Sequence, residues 1–339
     1  MVAATHGAGA GDCDVSAPRV LVTGAAGYLG SQLVRALARA HDPARRCAVV
    51  VASDVRDVPP TSRQAGVEYA MIDVRAPGLG ELMRRHAIDT VVHLAAIVTP
   101  DPSMDRSFLY SVDVLGTRNV ITACIAAGVH RLVVTSSGAA YGYHADNPAW
   151  IDEDQPLRGN PEFAYSDHKR QVEEMLAEFR SSHPELQQVV LRVGTILGES
   201  TANQITALFD KRWLIAVRGS PSPFVFVWDQ DVVGALEHAI FGDRQGVYNV
   251  AGDGALPIDD IARRLGKRCV ALPAGLLRGV LAVLRTLRLS QYGPEQVNFL
   301  RYRPVLANRR LKEEFGYVPK LSSEQVFELF RRSHGLGPA

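Results

Sequence analysis

The chain is short of lysine, cysteine and net charge. Only Lys169, Lys211, Lys267, Lys312 and Lys320 supply an ammonium in 339 residues. Cys13, Cys47, Cys124 and Cys269 stand far apart with no C-x-x-C pair. That spacing argues against a disulfide framework or a cysteine zinc site, and for a reducing compartment. Thirty-seven basic side chains face thirty-six acidic ones, so there is no basic footprint for nucleic acid. No run reaches the ~20 apolar residues of a membrane span. The histidines show no H-E-x-x-H spacing, so no metal site is expected. No G-x-S-x-G elbow marks a serine hydrolase. Residues 1–17 are rich in Ala and Gly, contain Asp12 and Asp14, and lack the basic end and apolar run of a secretory signal. They are expected to be a disordered tail, and the protein to be cytoplasmic.

What is present is a regular alternation. At roughly 150 residues per domain, the length suits two lobes or one large α/β unit with an elaboration. Short Val-rich runs recur at 20–22, 48–51, 91–94, 132–134, 189–191 and 247–250, and Tyr69-Ala70-Met71-Ile72 reads as a further strand. Most lack polar alternation, as strands buried on both faces do. Helical patterns lie between them, among them 30–39, 112–127 and 166–180. The alternation predicts an α/β fold with a doubly wound parallel sheet. Residues 18–194 are read as a Rossmann core with a strand returning near 247–251. The rest, 195–339, is mainly a smaller, interleaved substrate lobe, where Pro221, Pro223, Pro257 and Pro273 interrupt the helical runs.

Val20-Leu21-Val22-Thr23-Gly24-Ala25-Ala26-Gly27-Tyr28-Leu29-Gly30 reads as a strand, a glycine turn and a helix start. Gly24 permits backbone angles other residues resist, Gly27 admits a pyrophosphate, and Gly30 lets the helix lie close to its strand. The helix start offers free N–H groups and a positive dipole end to phosphates. Asp54, about 24 residues beyond Gly30 at the end of the second strand, suits the ribose hydroxyls of NAD. Arg56 pulls the other way, because a guanidinium accepts the 2′-phosphate of NADP. NAD is the expected cofactor, NADP the less favoured one. Asp73 ends the next strand, as an adenine contact or a helix cap.

Tyr165-Ser166-Asp167-His168-Lys169 sets a phenol and an ammonium on one helical face. The cation favours the phenolate, so Tyr165 becomes able to exchange a proton with an alcohol while hydride moves to or from a nicotinamide. Thr135-Ser136-Ser137 ends a strand, on the side where parallel sheets bind ligands.

Residues 23–30, His93-Leu94-Ala95-Ala96, Ser136-Ser137 with Tyr141-Gly142, and Tyr165 to Lys169 together resemble the extended short-chain dehydrogenase/reductases. That group holds NAD-dependent nucleotide-sugar epimerases and dehydratases and 3β-hydroxysteroid dehydrogenases. The resemblance covers about residues 19–252. It implies a seven-stranded Rossmann core, with Ser137 orienting substrate, Tyr165 as acid/base and Lys169 as its partner. It also implies a cofactor set of Gly24, Ala26, Gly27, Tyr28, Leu29, Gly30, Asp54, Arg56, Asp73, Val74, Leu94, Ala95 and Ala96, joined by Tyr165 and Lys169. A homodimer through helices near 105–127 and 161–181 is a further implication.

Several positions depart from the family pattern. Asp113 replaces a usual Asn. Gly138 and Ala139 stand where dehydratases carry an Asp-Glu pair, which argues against dehydration. Phe224 occupies the place of a nucleotide-binding Arg, and Trp228 that of a usual His. With Thr195, these two are expected on the substrate side, although both aromatics equally suit a lobe core. Losing the Arg tilts the reading toward a dehydrogenase of an apolar alcohol or ketone, with a nucleotide-sugar epimerase as the alternative. A non-catalytic dinucleotide sensor is the other class. Arg212 and Arg218 remain candidate phosphate contacts. The stretch 276–289, with Arg278, Arg285 and Arg288, is amphipathic. It suits a lobe helix, a pocket wall or a surface contact with a membrane.

Overall fold

Alternate residues of the first strand point into two different cores. Val20 and Val22 join Leu33, Val34 and Leu37 on one side, with Val232, Val233 and Leu236. Leu21 joins Leu79, Met83, Ile121, Val172 and Leu176 on the other. A strand buried on both faces needs helices on both faces. The computed structural model describes residues 17–101, 103–203, 205–287 and 293–337. Almost all of the expected N-terminal tail lies outside these residues, as do Arg288 and Leu289 of the amphipathic stretch.

Seven parallel strands make the main sheet: β1 (Arg19–Thr23), β2 (Val49–Asp54), β3 (Glu68–Met71), β4 (Thr90–His93), β5 (Arg131–Ser137), β6 (Gln187–Val193) and, after an excursion, β10 (Gly246–Val250). The excursion contains β7 (Thr195–Leu197), β8 (Trp213–Val217) and β9 (Phe226–Trp228), and β11 (Arg268–Leu272) follows β10. The sheet order is β10-β6-β5-β4-β1-β2-β3. Register is tight; Leu21, for instance, sits between Val51 and Val91. The order reverses between β1 and β4, which opens the crevice where such sheets bind ligands.

Helix α1 (Tyr28–Ala38) covers one face; α2 (Leu79–Arg85), α4 (Gly116–Ala127) and α5 (Ala164–Ser182) cover the other. A short α3 (Arg106–Tyr110) and a π-helical turn, Ser111–Leu115, run directly into α4. The helix predicted from residue 112 therefore starts earlier, where the Asp105 carboxylate caps it by accepting from Phe108 N at 2.7 Å.

Beyond β6 the chain builds α6 (Thr206–Phe209), α7 (Asp229–Phe241), α8 (Ile258–Arg264), α9 (Ala274–Thr286), α10 (Gln296–Arg301) and α11 (Ser323–Ser333). β7 pairs with β9 and β8 with β11 in two small parallel sheets. The return to the core is broader than one strand. α7 packs beside α1, and Leu311 and Phe315 enter the same core as β10. Pro257 and Pro273, expected to interrupt helices, instead precede the first residues of α8 and α9. There a missing N–H costs nothing.

Candidate active site

The turn after β1 is built for close approach. Gly24 has φ +71°, and a Cβ there would lie 2.6 Å from Ala95 N. A Cβ on Gly30 would lie 2.1 Å from the Gly24 carbonyl. These two glycines let the turn touch the Leu94–Ala96 segment and draw α1 onto it. Gly27 precedes α1 and no side chain caps the helix there, so the first-turn amides at Tyr28, Leu29 and Gly30 are left for an anion. That uncapped start fits a dinucleotide pyrophosphate. Tyr28 reaches across the crevice, its hydroxyl donating to Asp229 Oδ2 at 2.6 Å and lying 2.8 Å from Thr201 Oγ1. It thereby ties the cofactor turn to the segments after β6.

Asp54 is buried at the end of β2. Its Oδ2 accepts from Ala26 N at 3.0 Å, and its Oδ1 accepts from Arg56 N at 2.9 Å and Arg56 Nε at 3.3 Å. The Arg56 guanidinium is therefore already paired with an acid at the ribose end, which weakens its claim on a 2′-phosphate. Asp73 caps no helix, since α2 starts only after Gly78. It grips Arg75 instead, with Nη2 to Oδ2 at 2.6 Å, and that bond holds its carboxyl below the usual range. Val74 is buried with its Cγ2 over Gly116, where a Cβ would come within 2.8 Å.

Ser137 is the last residue of β5, and Tyr165 and Lys169 lie in the first turns of α5. The Ser137 hydroxyl accepts from Ala139 N at 3.2 Å, and Ser166 Oγ donates to Ala139 O at 2.7 Å. Ala139 thus binds the end of β5 to the first turn of α5. The buried Lys169 ammonium donates to Thr135 O at 2.9 Å and lies 5.8 Å from the Tyr165 ring centroid. Lys169, Ala95, Ala96 and Thr135 line a small cavity with His93 and Asp113. Burial pushes the His93 imidazole down to about 3, so it stays neutral between Thr23 Oγ1 and Thr117 Oγ1, at 2.8 and 3.0 Å.

The substrate side differs from the expectation at one position. Phe224 is 1% exposed. Its ring packs with Phe209 and Phe226 in the lobe core, and the Arg303 guanidinium lies over it, 3.8 Å from the centroid. Phe224 is therefore a core residue whose free face belongs to Arg303, and it offers a substrate no apolar wall. Trp228 is half-buried at the end of β9, packed against the same core. Thr195 opens β7, its N–H donating to Val225 O at 3.2 Å. Arg212 and Arg218 are exposed on either side of β8.

Arg303 was not singled out by the sequence. Its Nη1 donates to Ser222 Oγ at 2.6 Å. Ser222 takes the left-handed backbone, φ +40°, which a non-glycine residue rarely adopts. The Arg303 Nε is buried without a hydrogen-bond partner, and burial pushes the guanidinium down to about 9. Beside it lie the rings of Phe299, Tyr143 and Phe163, with Phe299 5.0 Å from Tyr143 and 6.1 Å from Phe163 between centroids. Tyr143 lies close to both Arg303 and Tyr165, so this cation sits near the start of α5.

A model of the NAD dependent epimerase/dehydratase family matches residues 20–228. The chain belongs to that family. The fold is the one its members share, and this epimerase/dehydratase-family enzyme uses NAD. It is 29% identical over 327 residues to UDP-glucose 4-epimerase of Azospirillum brasilense, covering 91% of this chain and 89% of that one. An uncharacterized protein of Mycobacterium tuberculosis is 27% identical over 320 residues, covering 94% and 85%. The solved structure of MoeE5 in complex with UDP-glucose and NAD superposes with TM-score 0.69 at 25% identity, covering 93% of this chain and 99% of that one.

Against the family background, Asp113 has found a partner. Its Oδ1 accepts from Ile97 N at 3.0 Å and its Oδ2 lies 3.0 Å from His168 Nδ1. The π-turn at Ser111–Leu115 turns that carboxylate inward, as such insertions often do beside functional sites. Asp113 therefore clamps His168, the residue next to Lys169. Among the described residues, no group of three or more His, Cys, Asp or Glu is placed to hold a metal ion. No described helix is long and apolar enough to cross a membrane.

Proposed function

We propose that the enzyme is an epimerase of a nucleotide-linked sugar, acting at a secondary alcohol carbon. The observation that carries this reading is Arg303, a cation at the substrate end with a buried, unpartnered Nε. A desolvated guanidinium without an acid is costly unless a ligand supplies the anion, and a nucleotide diphosphate does. Phe224 had suggested an apolar substrate, and its burial beneath Arg303 removes that argument.

NAD held against the Gly24–Gly30 turn supplies the hydride acceptor. The remaining work falls to side chains. Ser137 holds the substrate oxygen, and Tyr165 exchanges the hydroxyl proton. The Lys169 ammonium, fixed by Thr135 O, favours the phenolate. Tyr143, Phe163 and Phe299 shield the reacting carbon from water, and Thr195 and Trp228 border the sugar. Tyr143 does not compete as a base, because burial raises its hydroxyl well above the ordinary tyrosine value.

The same three rings favour a second reading, a dehydrogenase of a hydrophobic alcohol. Denaturing the purified enzyme and chromatographing the released nicotinamide separates the two. The epimerase reading expects close to one NAD or NADH per chain, since an epimerase must return the hydride it takes. An empty site that turns over added NAD with hydrophobic alcohols would replace it by the dehydrogenase.

We also propose a homodimer through α4 and α5, where Leu115 is exposed just before α4. Sedimentation velocity is expected to give twice the chain mass, and Leu115→Asp the single chain; a wild-type monomer would reject the dimer. Cys47, Cys124 and Cys269 are free thiols, which suits a reducing cytoplasm.

A further inference from the structure

We propose that the outer face of α9 and the β8/β11 pair seats the enzyme on the surface of an anionic lipid bilayer. Leu276, Val280, Val283 and Leu287 are 54%, 47%, 57% and 60% exposed. Their spacing of four, three and four residues places them in one narrow strip of the helix. This strip is not the side that builds the core. Leu277 does that, packing with Val217 and Val297. Arg278 and Arg285 project away from the strip, bonding Asn298 Oδ1 at 3.1 Å and Glu295 Oε1 at 2.8 Å. At 13 residues, or about 20 Å, α9 is too short to cross a bilayer of ~30 Å. An amphipathic helix with such an exposed apolar strip suits the plane of the interface.

The neighbouring sheet extends the apolar face. Parallel register sets Trp213 beside Arg268, Ile215 beside Val270 and Val217 beside Leu272. These pairs share one face because side chains alternate along a strand. The Val217–Leu272 end packs with Leu277 of α9. Trp213, Ile215 and Val270 carry the face into solvent. The Arg212 guanidinium lies 5.6 Å from the Trp213 ring, an interfacial aromatic with a basic neighbour.

Charge chooses the occupant. The basic edge of this face, Arg212 and Arg268 beside Trp213, is exposed and forms no ion pair among the described residues. A second copy docking here would bring two such basic edges together. The strip itself carries no hydrogen-bonding side chain with which a protein partner would be specified. An anionic bilayer accepts both the aliphatic strip and the positive surroundings.

The test is co-sedimentation of the full chain with vesicles of phosphatidylcholine alone or with phosphatidylglycerol. The pelleted fraction is expected to be at least about fivefold higher on the anionic vesicles and to fall with added salt. The exposed double substitution L276D/V283D is expected to bring it to the neutral-vesicle level, with thermal unfolding and NAD binding unchanged. Equal sedimentation on both vesicle types, or none on either, would overturn the proposal. So would a lipid-free oligomer that L276D/V283D dissociates, which would assign the face to a second copy. None of these outcomes depends on the identity of the substrate.

Discussion

Tyr165→Phe is expected to lower kcat by about 10³-fold, inside the 10²–10⁴ range for losing a positioned proton-transfer group. The substitution removes one hydroxyl and keeps the ring, so the packing of α5 and the cation–ring approach of Lys169 at 5.8 Å survive. No neighbouring group replaces the lost acid/base. Tyr143 is held protonated by burial, and His93 is neutral between two threonines. The Lys169 ammonium already donates to Thr135 O. Bound nicotinamide, measured after denaturation, is expected to match wild type. A kcat within a few fold of wild type would remove Tyr165 from the reaction.

Arg303→Met is expected to lower kcat/KM for a nucleotide sugar by about 10²-fold or more, the scale for truncating one partner of a desolvated charge pair. Most of the loss should appear in KM, because the guanidinium would touch the phosphates and not the reacting carbon. The stability readout separates this from a structural defect. Met keeps apolar contact with Phe224 and Phe299 and removes a buried cation that lacks an acid. The melting temperature is therefore expected to hold or rise. An unchanged KM would return the substrate to the apolar alcohol class. A fall in both melting temperature and kcat would make Arg303 a brace for the lobe.

The cofactor half was legible because it is local. A glycine turn, an acid at the next strand end and a Tyr-x-x-x-Lys pair each lie within a few residues, and their spacing imposes their geometry. Gly30 illustrates this, since the clashes a Cβ would meet there are with the turn itself, at Gly24 and Ala25. Asp73 shows the limit of such reasoning. Of the two roles weighed for it, the helix cap fails because α2 starts only after Gly78, and the carboxylate pairs instead with Arg75, two residues on.

The substrate half was not legible, because its contacts are long-range. Phe224 stood in the place of an arginine, and the replacement read as a change of substrate polarity. The fold brings Arg303, just beyond α10, over that ring from 79 residues away along the chain, a contact that no periodicity announces. Asp113 and His168, 55 residues apart, are likewise ordinary in sequence and become a buried pair only when α5 packs on the π-turn.

The absence of net charge argued against a nucleic-acid surface, and the scarcity of lysine made the Tyr165–Lys169 pair stand out. By itself, the sequence determined the doubly wound parallel sheet and the NAD turn and pointed to Ser137, Tyr165 and Lys169, since buried strands and glycine spacing state their requirements within one or two turns of chain. Only the tertiary structure decided where the Arg303 cation lies, what Asp113 binds and which strip of α9 is exposed. Each of those depends on which distant side chains share a dielectric environment, and a one-dimensional pattern carries no distance between residues that loops bring together.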